Sequence, residues 1–284
     1  LTAAGIAATK FSAMWGGDMT ENHPQSDADS PNSKALPFVA PCRQLPADAP
    51  LRWIRKGWAD ICAAPRQSLG YGVAIMLLSW LVTGIGLRAG SYWAVLVLLS
   101  GFVFIAPVLA LGLYSISRQL ERGLKPSLSR CFSEQTRSMG NLMVFALALL
   151  VLFLVWARAG SMVHVFFPAD GGADWKALAT FLAIGSAVGS IFALLTFLFS
   201  AFSLPMICDR ETDAVTAIVT SVNAVLRNKP AMAVWVLLIV VLTGLGFATA
   251  MIGLAVTIPL LGHATWHGYR ETINAAAWPA NNAE

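Results

Sequence analysis

The chain has 284 residues, of which 57% are hydrophobic and only 12% charged, with a mean hydropathy of +0.66. Soluble domains carry about 25% charged residues, and a soluble core cannot absorb this much apolar surface, so an ordinary water-soluble fold is excluded. The net charge of +4 and pI near 9.0 do not point to nucleic acid, because the basic residues flank apolar runs instead of forming a block.

Residues 1–48 are rich in Pro, Ser, Asn and Asp without periodicity and read as a disordered cytoplasmic tail. Met19 opens the polar run Met-Thr-Glu-Asn-His-Pro and is a candidate start, which makes 1–18 an upstream translation. The tail lacks the basic and apolar regions of a signal peptide. An amphipathic segment follows, with Leu51, Ile54, Trp58 and Ile61 at helical spacing and Arg52, Arg55, Lys56 and Asp60 elsewhere on the wheel, ended by Pro65. Apolar runs at 68–87 and 92–115 are each near the roughly 20 residues that cross a bilayer. A second short amphipathic segment carries Leu128, Cys131 and Phe132 after Ser127, ends near Gly140, and leads into spans 141–165 and 177–207. A third has Asp213 as its cap, Val215, Ile218, Val222 and Val225 as its stripe and Pro230 as its close. Spans 231–247 and 251–269 follow, with Gly244, Gly246 and Gly253 to turn between them, and residues 273–284 form a short cytoplasmic tail.

The expected fold is therefore all-α: a six-span transmembrane domain over 49–272, in three hairpins, each preceded by a cytoplasmic interfacial helix. The even spans each contain a proline, Pro107, Pro205 and Pro259, placed to bend the helix. Tyr114 and Trp266 follow the first and third of these at plus seven, and Arg118 and Arg270 at plus eleven; the second copy reaches Arg210 after only five residues. This pattern predicts a parallel threefold repeat. Lys and Arg number thirteen on one side of the spans and three (Arg88, Arg158, Lys176) on the other, which puts both termini in the cytoplasm. Cys42, Cys62, Cys131 and Cys208 all fall on that side, so disulfides are not expected.

The segments Leu51 to Trp58 (Leu-Arg-Trp-Ile-Arg-Lys-Gly-Trp), Leu204 to Arg210 (Leu-Pro-Met-Ile-Cys-Asp-Arg) and Pro259 to His267 (Pro-Leu-Leu-Gly-His-Ala-Thr-Trp-His) resemble an uncharacterised bacterial family of six-span integral membrane proteins carrying a domain of unknown function. The resemblance covers residues 50–272, with the closing segment as its most specific part. It implies a Gram-negative inner-membrane location and brings no activity. The cytochrome oxidase label carried by some members is not supported here for a catalytic subunit, which needs more spans and more histidines.

Few residues carry chemistry. His263 and His267, four apart on one helical face, are the candidate haem or metal ligands, with Cys208 and Asp209 as the nearest further donors; otherwise they hydrogen-bond to neighbouring helix ends or face headgroups. Gly185, Gly189 and Ala193 have the small-xxx-small spacing of a close helix contact. The charged cluster Asp209, Arg210, Glu211 and Asp213 reads as a solvated helix start. No Asp, Glu or Lys lies mid-span, which disfavours a proton-coupled carrier, and no nucleotide, zincin or nucleophile motif appears, so an enzyme is not expected. Three functions remain open. The first is a non-catalytic accessory, assembly or scaffold component of a larger, for example respiratory, membrane complex, with other subunits or a second copy as partners beside the bilayer. The second is a carrier or flippase for an uncharged or amphiphilic molecule. The third is a haem or metal protein built on His263 and His267, the only cofactor reading.

Overall fold

In the computed structural model the described residues are 37–88, 101, 104–127, 129–131, 138–166 and 175–281. Their helices are α1 (Ala49–Ala63), α2 (Pro65–Arg88), α3 (Leu111–Glu121), α4 (Met139–Phe166), α5 (Trp175–Ser200), α6 (Ser203–Asp209), α7 (Ala214–Arg227), α8 (Lys229–Ala248) and α9 (Leu254–Thr272). No strand occurs among the described residues, only isolated bridges Cys42–Ile273 and Arg210–Ala280.

Four helical stretches among these residues are long and apolar enough to cross a membrane: Pro65–Arg88, Met139–Met162, Ala179–Asp209 and Lys229–Ala248. In three of them 17–22% of the most apolar window is buried inside the protein. Leu77, Leu81, Leu147, Val151, Leu154, Leu237 and Val240 are among the many exposed apolar side chains. Each fully exposed Leu or Val forgoes about 1.5–3 kcal/mol of burial in water, so this surface belongs in acyl chains. Of the expected second span at 92–115, residues 92–100 and 102–103 lie outside the described set. The expected sixth corresponds to α9, which is not among the four, because its second half carries His263, His267, Arg270 and Glu271.

Helix α9 is the post around which the chain packs, and glycine sets the spacing. A Cβ at Gly57 of α1 would lie 2.8 Å from the Ala264 nitrogen and 3.0 Å from the Leu260 oxygen, so the α1 backbone rests directly on α9. Gly72 of α2 packs on the Ala255 carbonyl and the Pro259 ring. Proline has no N–H to return to that carbonyl, so the contact sits where the helix is weakest. On α9 itself, Gly262 meets Leu113 of α3, and Gly268 meets Trp53 and Phe202.

The face of α1 that packs on α9 is not its apolar stripe. Its buried residues are Ala49, Pro50, Trp53, Gly57 and Ile61, while Leu51 and Trp58 are 57% and 51% exposed. The hydropathy stripe missed Gly57, which is closest to α9 because it has no side chain. Helix α7 likewise buries Thr216, Ala217, Thr220, Ser221 and Ala224, with Val225 of its stripe buried beside them and Val215 exposed. Its Asp213 cap is present: the carboxylate accepts from the Thr216 N–H at 2.9 Å. Burial opposes ionisation of Asp213, but the N–H donors of Thr216 and Val215 outweigh it and hold the carboxyl below its usual range.

Both expected tails reach into the fold. Ala40 is buried and its N–H donates to Thr220 Oγ1 at 3.1 Å, Leu45 N–H donates to Asn228 Oδ1 at 2.8 Å, and Arg43 N–H donates to the Thr272 carbonyl at 2.8 Å. At the other end, Asn281 N–H donates to the Asp209 carbonyl and Asn281 Nδ2 to Ser138 Oγ at 2.6 Å. The boundaries at 48 and 273 were set by composition, and polar segments paired to polar helix ends leave no hydropathy signal. The turn between α8 and α9 also differs from expectation. Ala250 and Met251 take positive φ, 51° and 69°, while Gly246 and Gly253 lie against each other. Trp80 Nε1 donates to the Ala250 carbonyl at 2.8 Å.

Two outcomes follow for stability in detergent. Gly57→Leu should cost about 1–3 kcal/mol by overpacking the α1–α9 contact, read as a lower melting temperature by tryptophan fluorescence. Asp213→Ala should cost about 1 kcal/mol at neutral pH. Because the folded pKa is lowered, that contribution is complete above the unfolded carboxylate value and lost as pH falls through the folded one, so variant and parent should converge in acid.

Candidate functional site: a buried histidine network beside an apolar cavity

The two histidines lie on one face of α9, as their spacing requires, but in different surroundings. His263 is fully buried and lies between two serines: Ser117 Oγ of α3 is 2.7 Å from its Nδ1, and Ser68 Oγ of α2 is 2.9 Å from its Nε2. Ser117 Oγ donates to Asp60 Oδ2 of α1 at 2.6 Å, and His267 Nε2 lies 2.9 Å from the same oxygen. The side chains of Asp60 and His267 keep 14% and 18% exposure, so the chain runs from a solvent-touching end into a dry interior.

Hydrogen-bond bookkeeping orients the whole chain. An ionised carboxylate only accepts, so Ser117 gives its proton to Asp60 and must receive one from His263 Nδ1–H. His263 Nε2 is then bare and accepts from Ser68. His267 Nε2–H supplies the second donor to Asp60. The neutral Nδ1–H tautomer of His263 is thus assigned by its partners.

Both ring nitrogens of His263 hold serines, which leaves that side chain no free nitrogen for a ligand. Among the described residues no group of three or more His, Cys, Asp or Glu side chains is placed to hold a metal. Asp209 is also not solvated: it is 5% exposed, its Oδ2 accepting from Tyr269 Oη at 2.9 Å and from Arg210 Nε at 3.0 Å, with Arg270 Nη1 at 3.4 Å. Arg118 donates to the Cys208 carbonyl and, at 3.3 Å, to that of Asn281. Glu121 joins Arg270 at 3.0 Å and Trp266 Nε1 at 3.1 Å. Glu271 joins Arg52 at 2.6 Å and Trp53 Nε1 at 3.1 Å. No disulfide links the four cysteines.

The opposite face of α9 borders a cavity of about 570 Å³. Ile258, Leu261, Gly262 and Thr265 line it from α9, Ser190, Ala193, Thr196 and Ser200 from α5, Trp235, Ile239 and Thr243 from α8, and Pro107, Ala110 and Tyr114 from 106–114. None of its described lining residues is charged. Thr196 and Ser200 donate to carbonyls of their own helices at 2.9 and 2.6 Å, leaving hydroxyl oxygens that accept, while Thr265, which donates to the Leu261 carbonyl at 2.7 Å, is also bonded to Tyr114. The small-residue face of α5 contributes Ala193 to this wall, and no described atom lies within 4 Å of a Cβ at Gly185 or Gly189. Of the three prolines, Pro107 precedes a break at Ala110, Pro205 follows one at Ala201–Phe202, and Pro259 lies within α9.

Asp60, Ser68 and Ser117 were not singled out as site residues. Asp60 and His267 are 207 positions apart, and no local pattern connects them. The one available signal was an acidic residue on an otherwise basic amphipathic helix.

Helices of this length with apolar exteriors define an integral membrane protein. Residues 95–209 match the model of a family described as predicted integral membrane proteins, DUF2189. That stretch ends at α6, so the closing segment at 259–267 lies outside it. No curated protein and no solved structure matches the chain.

The assigned tautomer predicts that ¹⁵N NMR of labelled protein at neutral pH shows His263 protonated at Nδ1. Ser117→Ala, which strands that N–H in the interior, should cost about 1–3 kcal/mol, measured by thermal unfolding.

Proposed function

We propose that this protein is a carrier-type membrane protein that takes an uncharged amphiphile into the cavity between α5, α8 and α9. The observation that carries the reading is the cavity itself. Its volume lies within the roughly 300–1,000 Å³ range of ligand sites, its lining is mostly apolar, and Thr196 and Ser200 present hydroxyl oxygens that accept. A charged headgroup would find no counter-ion among the described lining residues. A long-chain alcohol or acylglycerol, whose hydroxyl donates, matches the lining. Pro107 and the helix breaks at Ala110 and Ala201 border this space and suit a wall that moves.

The reading includes six spans with both termini in the cytoplasm of a bacterial inner membrane, supported by the thirteen-to-three distribution of Lys and Arg. It is preferred to an accessory subunit because a role in assembly alone requires no cavity.

Energy transfer from tryptophan, including Trp235, to a pyrene-labelled long-chain alcohol in nanodiscs tests it. Saturable transfer is expected, displaced by unlabelled alcohol and at least about tenfold less by the matching fatty-acid anion, a difference of about 1.4 kcal/mol. Ala193→Phe should fill the cavity and weaken binding by a similar factor. Transfer that is non-saturable, or unchanged by Ala193→Phe, rules the reading out.

A further inference from the structure

We infer that Asp60, Ser117, His263, Ser68 and His267 form a proton-binding site whose occupancy controls the cavity on the opposite face of α9; the coupling rests on the carrier reading, the proton site does not. The helix is a shared wall. Gly262 and Thr265 face the cavity, while His263 and His267 point into the network. Adjacent helical residues are about 100° apart, so any rotation of α9 that suits one face displaces the other. Pro259 removes a backbone hydrogen bond one turn before His263, and Gly72 and Gly57 bring α2 and α1 onto that part of α9.

The network has two self-consistent arrangements that differ by one proton. With Asp60 ionised, donors run from Ser68 through His263 and Ser117 to the carboxylate, as the distances indicate. With a proton on Asp60, the carboxyl O–H becomes a donor to Ser117. Ser117 then turns its hydroxyl to His263 Nδ1, His263 carries its proton on Nε2 and donates to Ser68, and the Ser68 hydroxyl turns to a backbone carbonyl one turn back, a common serine alternative. His263 stays neutral throughout, and the only proton gained comes from solvent at the Asp60–His267 end. His267 Nε2, 2.9 Å from Asp60 Oδ2, is the other hydrogen-bond partner of the carboxylate at that end.

The other charged groups on the surrounding helices are held apart from this chain. Glu271 of α9 is taken by Arg52 and Trp53 of α1, Glu121 of α3 by Arg270 and Trp266, and Arg118 of α3 by the Cys208 and Asn281 carbonyls. On α2 the neighbouring phenol, Tyr71, donates to the Leu109 carbonyl at 2.6 Å. Arg55, Lys56 and Arg66 are exposed.

The test uses the full chain in nanodiscs. Across acid to mildly alkaline pH, ¹⁵N NMR should show His263 exchanging from Nε2–H to Nδ1–H, and Asp60→Asn should remove that pH dependence. The affinity of the pyrene-labelled alcohol, itself uncharged, should differ by about fivefold or more between the two ends, and both Asp60→Asn and His267→Gln should flatten or shift the profile. A His263 tautomer that ignores pH in the parent protein overturns the proton site whether or not the probe binds. Binding that is saturable but independent of pH overturns the coupling while leaving the carrier reading intact. Absence of saturable binding at every pH overturns the carrier reading and the coupling together, and the NMR titration still judges the proton site.

Discussion

Backbone contact around α9 is the constraint on which the described architecture depends. A membrane offers helices no hydrophobic drive to associate, because lipid tails are as apolar as leucine, so close packing and polar bonds must do it. Here both occur on one helix. Gly57, Gly72, Gly262 and Gly268 bring α1, α2, α3 and the Phe202 turn onto α9, and at that short range Asp60, Ser68 and Ser117 can reach His263 and His267. With larger residues at these glycines the hydrogen bonds of 2.6–2.9 Å would not close.

The molecule is divided between two solvents. Long apolar helices keep most of their surface outward, while buried polar groups concentrate at the ends where α1, α3, α6 and α7 meet the two terminal straps. Trp53 ties these parts together, edge-on to Trp235 at 5.5 Å and to Phe202 at 6.2 Å, with its N–H on Glu271. Asp209 serves similarly for Tyr269, Arg210 and Arg270. Burying such charges is costly unless each is paired, and the pairing links α3, α6 and α9.

Much of the local structure was legible. Hydropathy located the long helices, the proline and glycine signals marked several of their ends, and Asp213 was correctly read as a cap because capping depends on residues three apart. The histidines were singled out by spacing, and α9 does present both on one face. The faces of α1 and α7 that pack inside the protein were not read from hydropathy, which weights bulky side chains, whereas the buried positions include Gly57, Ala217, Thr220 and Ser221. The tails were misread for the related reason that backbone-to-polar pairing needs no apolar residue.

By itself the sequence determined the solvent of this protein, its helical class and the charge asymmetry of its connections, since these are sums over local composition. Only the tertiary structure decided that His263 is spent between two serines, that Asp60 joins a helix more than two hundred residues away, and that α9 separates a polar chain from an apolar cavity. Those outcomes depend on which backbones approach within a few ångströms, a property of pairs of helices that no single segment encodes.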